Sequence, residues 1–126
     1  MAAILIVDDS AFQRKRVLEA LRSEGHTLHE AINGALALAE LSERAFGCVV
    51  TDLVMPVMDG FGLLTEMRQR GIKTPVLVVT ADIQKTTQTR CEELGARQVL
   101  KKPVNPIELR TAVAESLAAG EESSWN

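Results

Sequence analysis

The sequence predicts an α/β fold in which a doubly wound sheet of five parallel strands carries helices on both faces. Short apolar runs recur along the chain, each bounded by turn-forming residues, which is typical of buried strands. Segments with apolar residues at helical spacing follow these runs in alternation, which favours parallel strands joined by right-handed crossovers. The 126 residues are enough for one domain with its own core.

The first two β–α units are predicted from short signals. An apolar run at 3–7 predicts a strand, Ser10 can cap the next helix, and Gly25 ends that helix. A more polar strand at 26–31 is expected at or near a sheet edge. Asn33 and Gly34 then open an Ala- and Leu-rich helix. The apolar face expected for the first helix consists of Phe12, Val17, Leu18 and Leu21.

The third and fourth units contain the most apolar strands. Residues 48–51 run into Asp52, and a helix is expected from about Gly60 to Arg70. Residues 76–79 form the next strand, which ends at Thr80. Because these two strands are the most apolar, they should have neighbours on both sides, which favours the strand order 2-1-3-4-5.

The last part of the chain is expected to hold a weak helix, a short strand and a final helix. The helix at 83–94 is poor in apolar residues, and the strand covers 98–101. Asn105 and Glu108 resemble a capping box with Pro106 at the first helical position. The final helix is expected to fade at Gly120. The domain would then span residues 1–120, with a flexible tail at 121–126.

Composition excludes several classes of partner. Fourteen basic and seventeen acidic side chains give a net charge of −3, too little to favour nucleic acid or an anionic membrane. The chain has no Tyr and one Trp, so an aromatic platform for single-stranded nucleic acid is not expected. No apolar run is long enough to span a bilayer. Two scattered cysteines indicate a reducing compartment, so we expect a cytoplasmic protein.

Polar side chains follow four of the predicted strands at the point where each strand ends. They are Asp8 and Asp9, Asp52, Thr80 and Lys102. An isolated Asp52 would be interpreted as a helix cap or loop acid, but carboxyl ends of parallel strands meet at one edge of a sheet. Carboxylates crowded there repel one another unless a cation neutralises them, and Mg²⁺ is the favoured ion. The hydroxyl and the ammonium suit a phosphoryl group, so this edge is a candidate site of phosphoryl transfer.

The same residues resemble a known family. The pair Asp8-Asp9, the segment DLVMPVMDG from Asp52 to Gly60, Thr80-Ala81 and Lys102-Pro103 are together similar to the receiver domain of two-component response regulators. The resemblance covers residues from about 3 to 119. As a stand-alone domain, this chain looks like a CheY-type regulator. It implies the flavodoxin-like, CheY-like (βα)5 fold and supports the strand order 2-1-3-4-5 as well.

The resemblance also implies roles for individual residues. Asp52 would be the phosphoacceptor, with Mg²⁺ as cofactor. The metal ligands would be Asp9 and Asp52 directly, Asp8 through water, and the backbone carbonyl of Val54. The phosphoryl oxygens would contact the Thr80 hydroxyl, the Ala81 N–H and the Lys102 ammonium. The Lys102-Pro103 peptide is a candidate for the cis isomer.

The resemblance further implies partners. The phosphoryl donor would be a sensor histidine kinase or a phosphotransfer protein, and a downstream protein would bind the face made by residues 83–94, 98–101 and 105–119. No DNA-binding segment follows residue 120 in this sequence, so we do not expect direct control of transcription by this chain. Where many relatives have an aromatic switch residue, this chain has Val99, so coupling between a threonine and an aromatic side chain is not expected in its usual form.

Two other functions would use the same pocket or fold. A Mg²⁺-dependent phosphatase with Asp52 as nucleophile would carry a second Asp as general acid two residues later, where this chain has Val54. A receiver fold used only for docking would be expected to lose an acid or the lysine, whereas Asp8, Asp9, Asp52 and Lys102 are all present. The first feature disfavours an enzyme with external substrates and the second disfavours a docking domain, so a phosphorylated signalling domain is favoured over both.

Overall fold

The strands and helices alternate regularly. The computed structural model describes residues 2–124, and for residues 120–124 it describes the backbone alone. Within this range the strands are β1 (Ala3–Val7), β2 (Thr27–Ala31), β3 (Cys48–Thr51), β4 (Val76–Thr80) and β5 (Gln98–Lys101). The α-helices are α1 (Ala11–Leu21), α2 (Gly34–Glu43), α3 (Gly60–Gln69), α4 (Lys85–Glu93) and α5 (Pro106–Ser124).

The strands form one parallel sheet in the order β2-β1-β3-β4-β5, which confirms the predicted fold class and strand order. The register places Val7 beside both Ala31 and Thr51, and Thr80 beside Lys101. The last residues of neighbouring strands therefore lie side by side. We call this side of the sheet the carboxyl edge.

Both faces of the sheet are covered by helices. Side chains of a strand point alternately to the two faces, so Leu5 and Val7 contribute to one core while Ile4 and Ile6 contribute to the other. The first core also contains buried residues of α2 and α3 and Cys91 of α4, whereas the second contains residues of α1 and α5. Burial on both faces explains why the central strands are continuous apolar runs.

Side-chain caps begin the helices directly after the carboxyl edge. The Ser10 Oγ accepts a hydrogen bond from the Gln13 N–H, and Asn33 and Asp59 cap α2 and α3 in the same way. The Asn105 Oδ1 accepts from the N–H groups of both Ile107 and Glu108 at the start of α5. The N-termini of these helices therefore gather on the side of the sheet where the predicted acids lie.

Two helix boundaries differ from those predicted. Helix α4 begins at Lys85 rather than at Ile83, because the Asp82 carboxylate accepts the Gln84 N–H and the Thr87 hydroxyl and turns the chain first. Helix α5 continues to Ser124 rather than fading at Gly120. One glycine costs a helix only about 1 kcal/mol, and alanines before it and glutamates after it are strong helix formers. Trp125 and Asn126, the end of the predicted tail, lie outside the described residues.

The predicted apolar face of α1 is wrong at Phe12. Its side chain is 65% exposed, whereas Val17 and Leu21 are buried. Phe12 lies nine residues before Leu21, about two and a half turns at 3.6 residues per turn, so the two side chains leave opposite sides of the helix. No helix within the described residues is long and apolar enough to cross a membrane.

Candidate functional site

Three carboxylates meet at the carboxyl edge. Asp8 and Asp9 follow β1, and Asp52 follows the adjacent strand β3. One carboxylate oxygen of each residue lies within 4.8 Å of the others, a spacing at which a single cation can contact all three. Asp8 is buried, Asp52 is half-buried and Asp9 is exposed, so the cluster opens to solvent on one side. The three acids that the sequence brings to this edge are therefore close together in space.

Lys102 reaches this cluster from the end of β5. Its Nζ lies 3.3 Å from the Asp8 Oδ2 and 3.2 Å from the Asp52 Oδ2. One ammonium thus serves two carboxylates, while Asp9 makes no ion pair within the described residues. Three acids against one lysine leave excess negative charge, which favours a divalent cation bound through oxygen ligands, as Mg²⁺ prefers.

The pKa of Asp8 is raised mainly by burial. Burial raises the pKa of the Asp8 carboxyl above its ordinary value, and the negative charge of Asp52 raises it further. The Ser10 N–H and the Lys102 ammonium lower it, but they do not outweigh burial. The carboxylate form of Asp8 is therefore under-compensated, and an added cation would stabilise it.

The Asp52 side chain is held by its own chain neighbours. Its Oδ1 accepts the Leu53 N–H at 2.7 Å, and the Thr51 hydroxyl donates to the Asp52 carbonyl at 2.9 Å. The first residue of α3, Gly60, packs directly on this segment. A Cβ at Gly60 would lie 2.6 Å from the Asp52 carbonyl oxygen, so a larger residue there would push α3 away from the acid.

The other predicted site residues make no hydrogen bond to the cluster within the described residues. Thr80 ends β4 and is buried, and its hydroxyl accepts the Asp82 N–H at 3.1 Å. Ala81 is exposed, and Val54 is 79% exposed in the loop between β3 and α3. Within the described residues, neither the Thr80 hydroxyl nor the N–H of Ala81 is hydrogen-bonded to the three acids. The Lys102-Pro103 peptide is cis, as the family resemblance implied.

Further contacts at the site were not predicted. The Asp8 Oδ1 accepts the Ser10 N–H at 2.9 Å, a local turn that an Asp two residues before a Ser could have indicated. The Arg14 Nη1 donates to the Asp8 carbonyl at 2.8 Å. No sequence pattern predicts this second contact, because it joins the first turn of α1 back to the end of β1.

The fold and this acidic pocket together define a receiver domain, and comparison with known sequences agrees. The chain belongs to the response regulator receiver domain family, which matches residues 4–114. Receiver domains typically bind Mg²⁺ at an acidic pocket, which corresponds here to the cluster of Asp8, Asp9 and Asp52.

Individual relatives support the same assignment. The chain is 38% identical over 111 residues to the sensor histidine kinase RcsC of Salmonella typhi, and 35% identical over 106 residues to the transcriptional regulatory protein SrrA of Staphylococcus aureus. These alignments cover 88% and 84% of this chain but only 12% and 44% of the two relatives. This chain therefore corresponds to one domain of each of these longer proteins.

Solved structures show the same architecture at full domain length. The chemotaxis response regulator CheY4 of Vibrio cholerae superposes with a TM-score of 0.85 at 32% identity, over 93% of this chain and 99% of that one. The receiver domain of a Luxo repressor protein from Vibrio parahaemolyticus gives a TM-score of 0.94 at 24% identity, which shows the fold alone. The described fold is therefore the common receiver fold.

Proposed function

We propose that this domain is a phosphate-accepting signalling switch. Asp52 receives a phosphoryl group from the phosphohistidine of a sensor histidine kinase or a phosphotransfer protein. The observation that supports this proposal is the position of the Asp52 carboxylate. It lies 3.2 Å from the Lys102 ammonium and close enough to Asp8 and Asp9 for one metal ion to contact all three acids. A carboxylate in such surroundings is a suitable nucleophile for phosphoryl transfer.

The proposed reaction is a transfer between two acceptors. One Asp52 oxygen attacks phosphorus while the bond from phosphorus to the donor imidazole nitrogen breaks, and that nitrogen keeps the bonding electrons. The product is an acyl phosphate on Asp52, and attack by water at phosphorus returns the carboxylate and free phosphate. The domain would thus catalyse only its own phosphorylation and dephosphorylation.

We assign the remaining site residues to the ion and to the phosphoryl oxygens. Asp9 and Asp52 would ligate Mg²⁺ directly, Asp8 through water, and Val54 through its backbone carbonyl. When bound, Mg²⁺ would neutralise charge on the phosphoryl oxygens. The Thr80 hydroxyl, the Ala81 N–H and the Lys102 ammonium would hold those oxygens. The Thr80 hydroxyl oxygen accepts the Asp82 N–H, so its O–H can donate to a phosphoryl oxygen without breaking that bond.

Mass spectrometry after incubation with acetyl phosphate and Mg²⁺ tests the assignment. We expect one hydroxylamine-labile phosphoryl group on Asp52, which is absent from Asp52→Asn and strongly reduced in Asp9→Ala. Asp59→Asn is the matched control, because Asp59 lies in the same loop, outside the cluster, and an asparagine keeps the cap of α3. A labile group that persists in Asp52→Asn would contradict the proposal, and an unmodified wild-type protein would favour a docking domain instead.

We also propose that phosphorylation alters binding of a protein target on the face of residues 83–94, 98–101 and 105–119. The Thr80 hydroxyl contacts the Asp82 N–H, and the Asp82 carboxylate in turn binds the first turn of α4. A change at Thr80 would therefore reach α4 directly. Val99 is half-buried and small, so we expect displacement of segment 81–94 with little change at Val99.

Hydrogen exchange with and without the phosphoryl mimic beryllofluoride tests this output face. We expect altered protection across residues 81–94. Unchanged protection there, with changes confined to residues 10–45, would mean that the output face lies elsewhere.

The setting that we propose is a cytoplasmic pathway in which the target is a protein rather than a nucleic acid, as for a regulator of the chemotaxis type. Cys48 and Cys91 are both free and buried, which suits a reducing compartment. The net charge of −3 does not favour binding to nucleic acid.

A further inference from the structure

Both backbone polar groups of Asp8 make hydrogen bonds. The Asp8 N–H donates to the Ala31 carbonyl at the end of β2 at 3.1 Å. The Asp8 carbonyl, which lies beyond the last β1 residue, accepts from the Arg14 Nη1 at 2.8 Å. The contact to Arg14 therefore lies outside the sheet, at the point where the chain leaves β1 for the acid pair.

Arg14 is itself held in place by a second partner. Its Nε lies 3.0 Å from the Glu30 Oε1 on β2, and its side chain is only 15% exposed. A guanidinium group is planar and rigid, so the bond to Glu30 fixes the direction in which the Nη1 points. The Arg14–Glu30 pair thus connects α1, β2 and the backbone of the acid pair.

We infer that Arg14 is a positioning residue for the metal-binding acids, with Glu30 as the group that orients it. The Asp8 carbonyl and the Asp9 N–H belong to one rigid peptide plane. A hydrogen bond that holds the carbonyl oxygen therefore restricts rotation of that plane, and with it the position of the Asp9 Cα from which the side chain leaves the backbone. This inference rests on the proposed function, because it assumes that Asp9 ligates the ion.

A simple ion pair would behave differently from a positioning group. If Arg14 and Glu30 only stabilise the fold, their loss lowers the unfolding temperature and leaves the affinity of the folded protein for Mg²⁺ unchanged. If Arg14 positions the acids, its loss weakens Mg²⁺ binding, as removal of groups that orient metal ligands commonly does by about 10- to 100-fold.

Calorimetric titration with Mg²⁺ alone, on folded protein, separates these alternatives. We expect Arg14→Ala to weaken Mg²⁺ binding about 10-fold. Arg14→Lys should also bind more weakly, because one ammonium cannot reproduce the planar fork toward both partners. Glu30→Gln keeps an oxygen acceptor, so its effect should be smaller than that of either Arg14 variant.

Arg44→Ala is the matched control. Arg44 also pairs with a glutamate through its Nε, at 3.3 Å from Glu40, but this pair lies at the end of α2. Within the described part of the chain, neither residue forms an ion pair with a site residue. Its loss should leave the Mg²⁺ affinity unchanged. Unfolding temperatures of all variants show how much of any effect is stability alone.

The dependence of the phosphorylation rate on Mg²⁺ concentration gives a second readout. With acetyl phosphate as donor, we expect Arg14→Ala to need about 10-fold more Mg²⁺ for half-maximal rate, while the rate at saturating Mg²⁺ changes less than about 2-fold. Mg²⁺ affinities of Arg14→Ala and Arg14→Lys equal to that of the wild type would overturn the inference and leave the proposed function intact. Absence of Mg²⁺ binding by the wild type would overturn both.

Discussion

Helices α3 and α4 cover the same face of the sheet but are attached to it in different ways. Helix α3 buries Gly60 and three large side chains, Leu63, Leu64 and Met67. Helix α4 is nearly as long, yet among its residues only Cys91 is buried. Because apolar burial is the main force that holds a helix on a sheet, α3 is part of the core and α4 rests on the surface.

Arginine contacts with α3 replace the missing apolar contacts of α4. The Arg68 Nη1 donates to the Glu93 carbonyl at the end of α4, at 2.9 Å. The Arg90 guanidinium lies 3.9 Å from the centre of the Phe61 ring. Such contacts are worth little when they are exposed, and water can replace the hydrogen bond. Neighbouring helices on one face can therefore differ in mobility, and the weakly held helix is the one expected to respond at the output face.

Truncation in the core of α3 should give the largest effect. Leu63 is fully buried, so Leu63→Ala removes apolar contacts and leaves a cavity, and we expect a loss of about 3 kcal/mol in the free energy of unfolding. Leu36→Ala, at a half-exposed leucine of α2, is the control and should cost less than about 1 kcal/mol. Chemical denaturation measures both values. Equal losses would show that burial does not distinguish these positions.

Removal of the arginine over Phe61 should lower stability less than truncation of Leu63 does, and its effect should be confined to α4. We expect Arg90→Ala to lower the global free energy of unfolding by less than about 1 kcal/mol, since a cation–π contact of this kind contributes no more. Amide hydrogen exchange across residues 85–94 should nevertheless become faster. Lys85→Ala, an exposed change on the same helix, is the control. If exchange in α4 is unaffected by Arg90→Ala, the stack does not hold the helix.

Protonation of Asp82 at low pH should have the smallest effect, and this effect should be confined to the start of α4. Hydrogen bonds from the Thr87 hydroxyl and the Gln84 N–H lower the pKa of Asp82. Since the folded-state pKa is below the unfolded value of 3.8, this stabilisation is present above that value and is lost as pH falls through the lower, folded-state pKa. NMR shifts of the Gln84 and Thr87 amides should therefore change only below about pH 4. Asp82→Asn should abolish this titration, and its persistence would point to another group.

Much of the fold could be predicted because the local sequence patterns agreed with the topology of a parallel sheet. The strand ends before Asp8 and Asp52 follow from apolar runs meeting acids, and the caps at Ser10 and Asn105 follow from residue type and position. The meeting of the acids with Lys102 follows from the parallel sheet, which brings strand ends to one edge. These features depend on patterns of a few residues or on a topology with few alternatives.

The features that could not be predicted depend on tertiary contacts. Arg14 reaches the Asp8 carbonyl only because α1 packs beside β2, and Arg90 meets Phe61 only because α4 lies next to α3. Val57 adopts φ of +69°, a region that a β-branched residue rarely occupies, in the loop between β3 and α3. The sequence carries no local signal for such a conformation at Val57, because the loop around it determines the backbone there.

The pairing of β1 with β3 determines how late the site forms while the chain is synthesised and folds. This pairing joins Ile4 to Cys48, across the whole of β2 and α2, and Lys102 reaches Asp8 from 94 residues away. Contacts between such distant parts of a chain form late, because closing the long loops between them costs entropy. During synthesis, Asp52 emerges before the lysine that neutralises it, so a nascent chain or a fragment that ends before β5 would carry the acids without their ammonium. If Asp52 is the phosphoacceptor, as proposed, the complete site is therefore available only once the fold is complete.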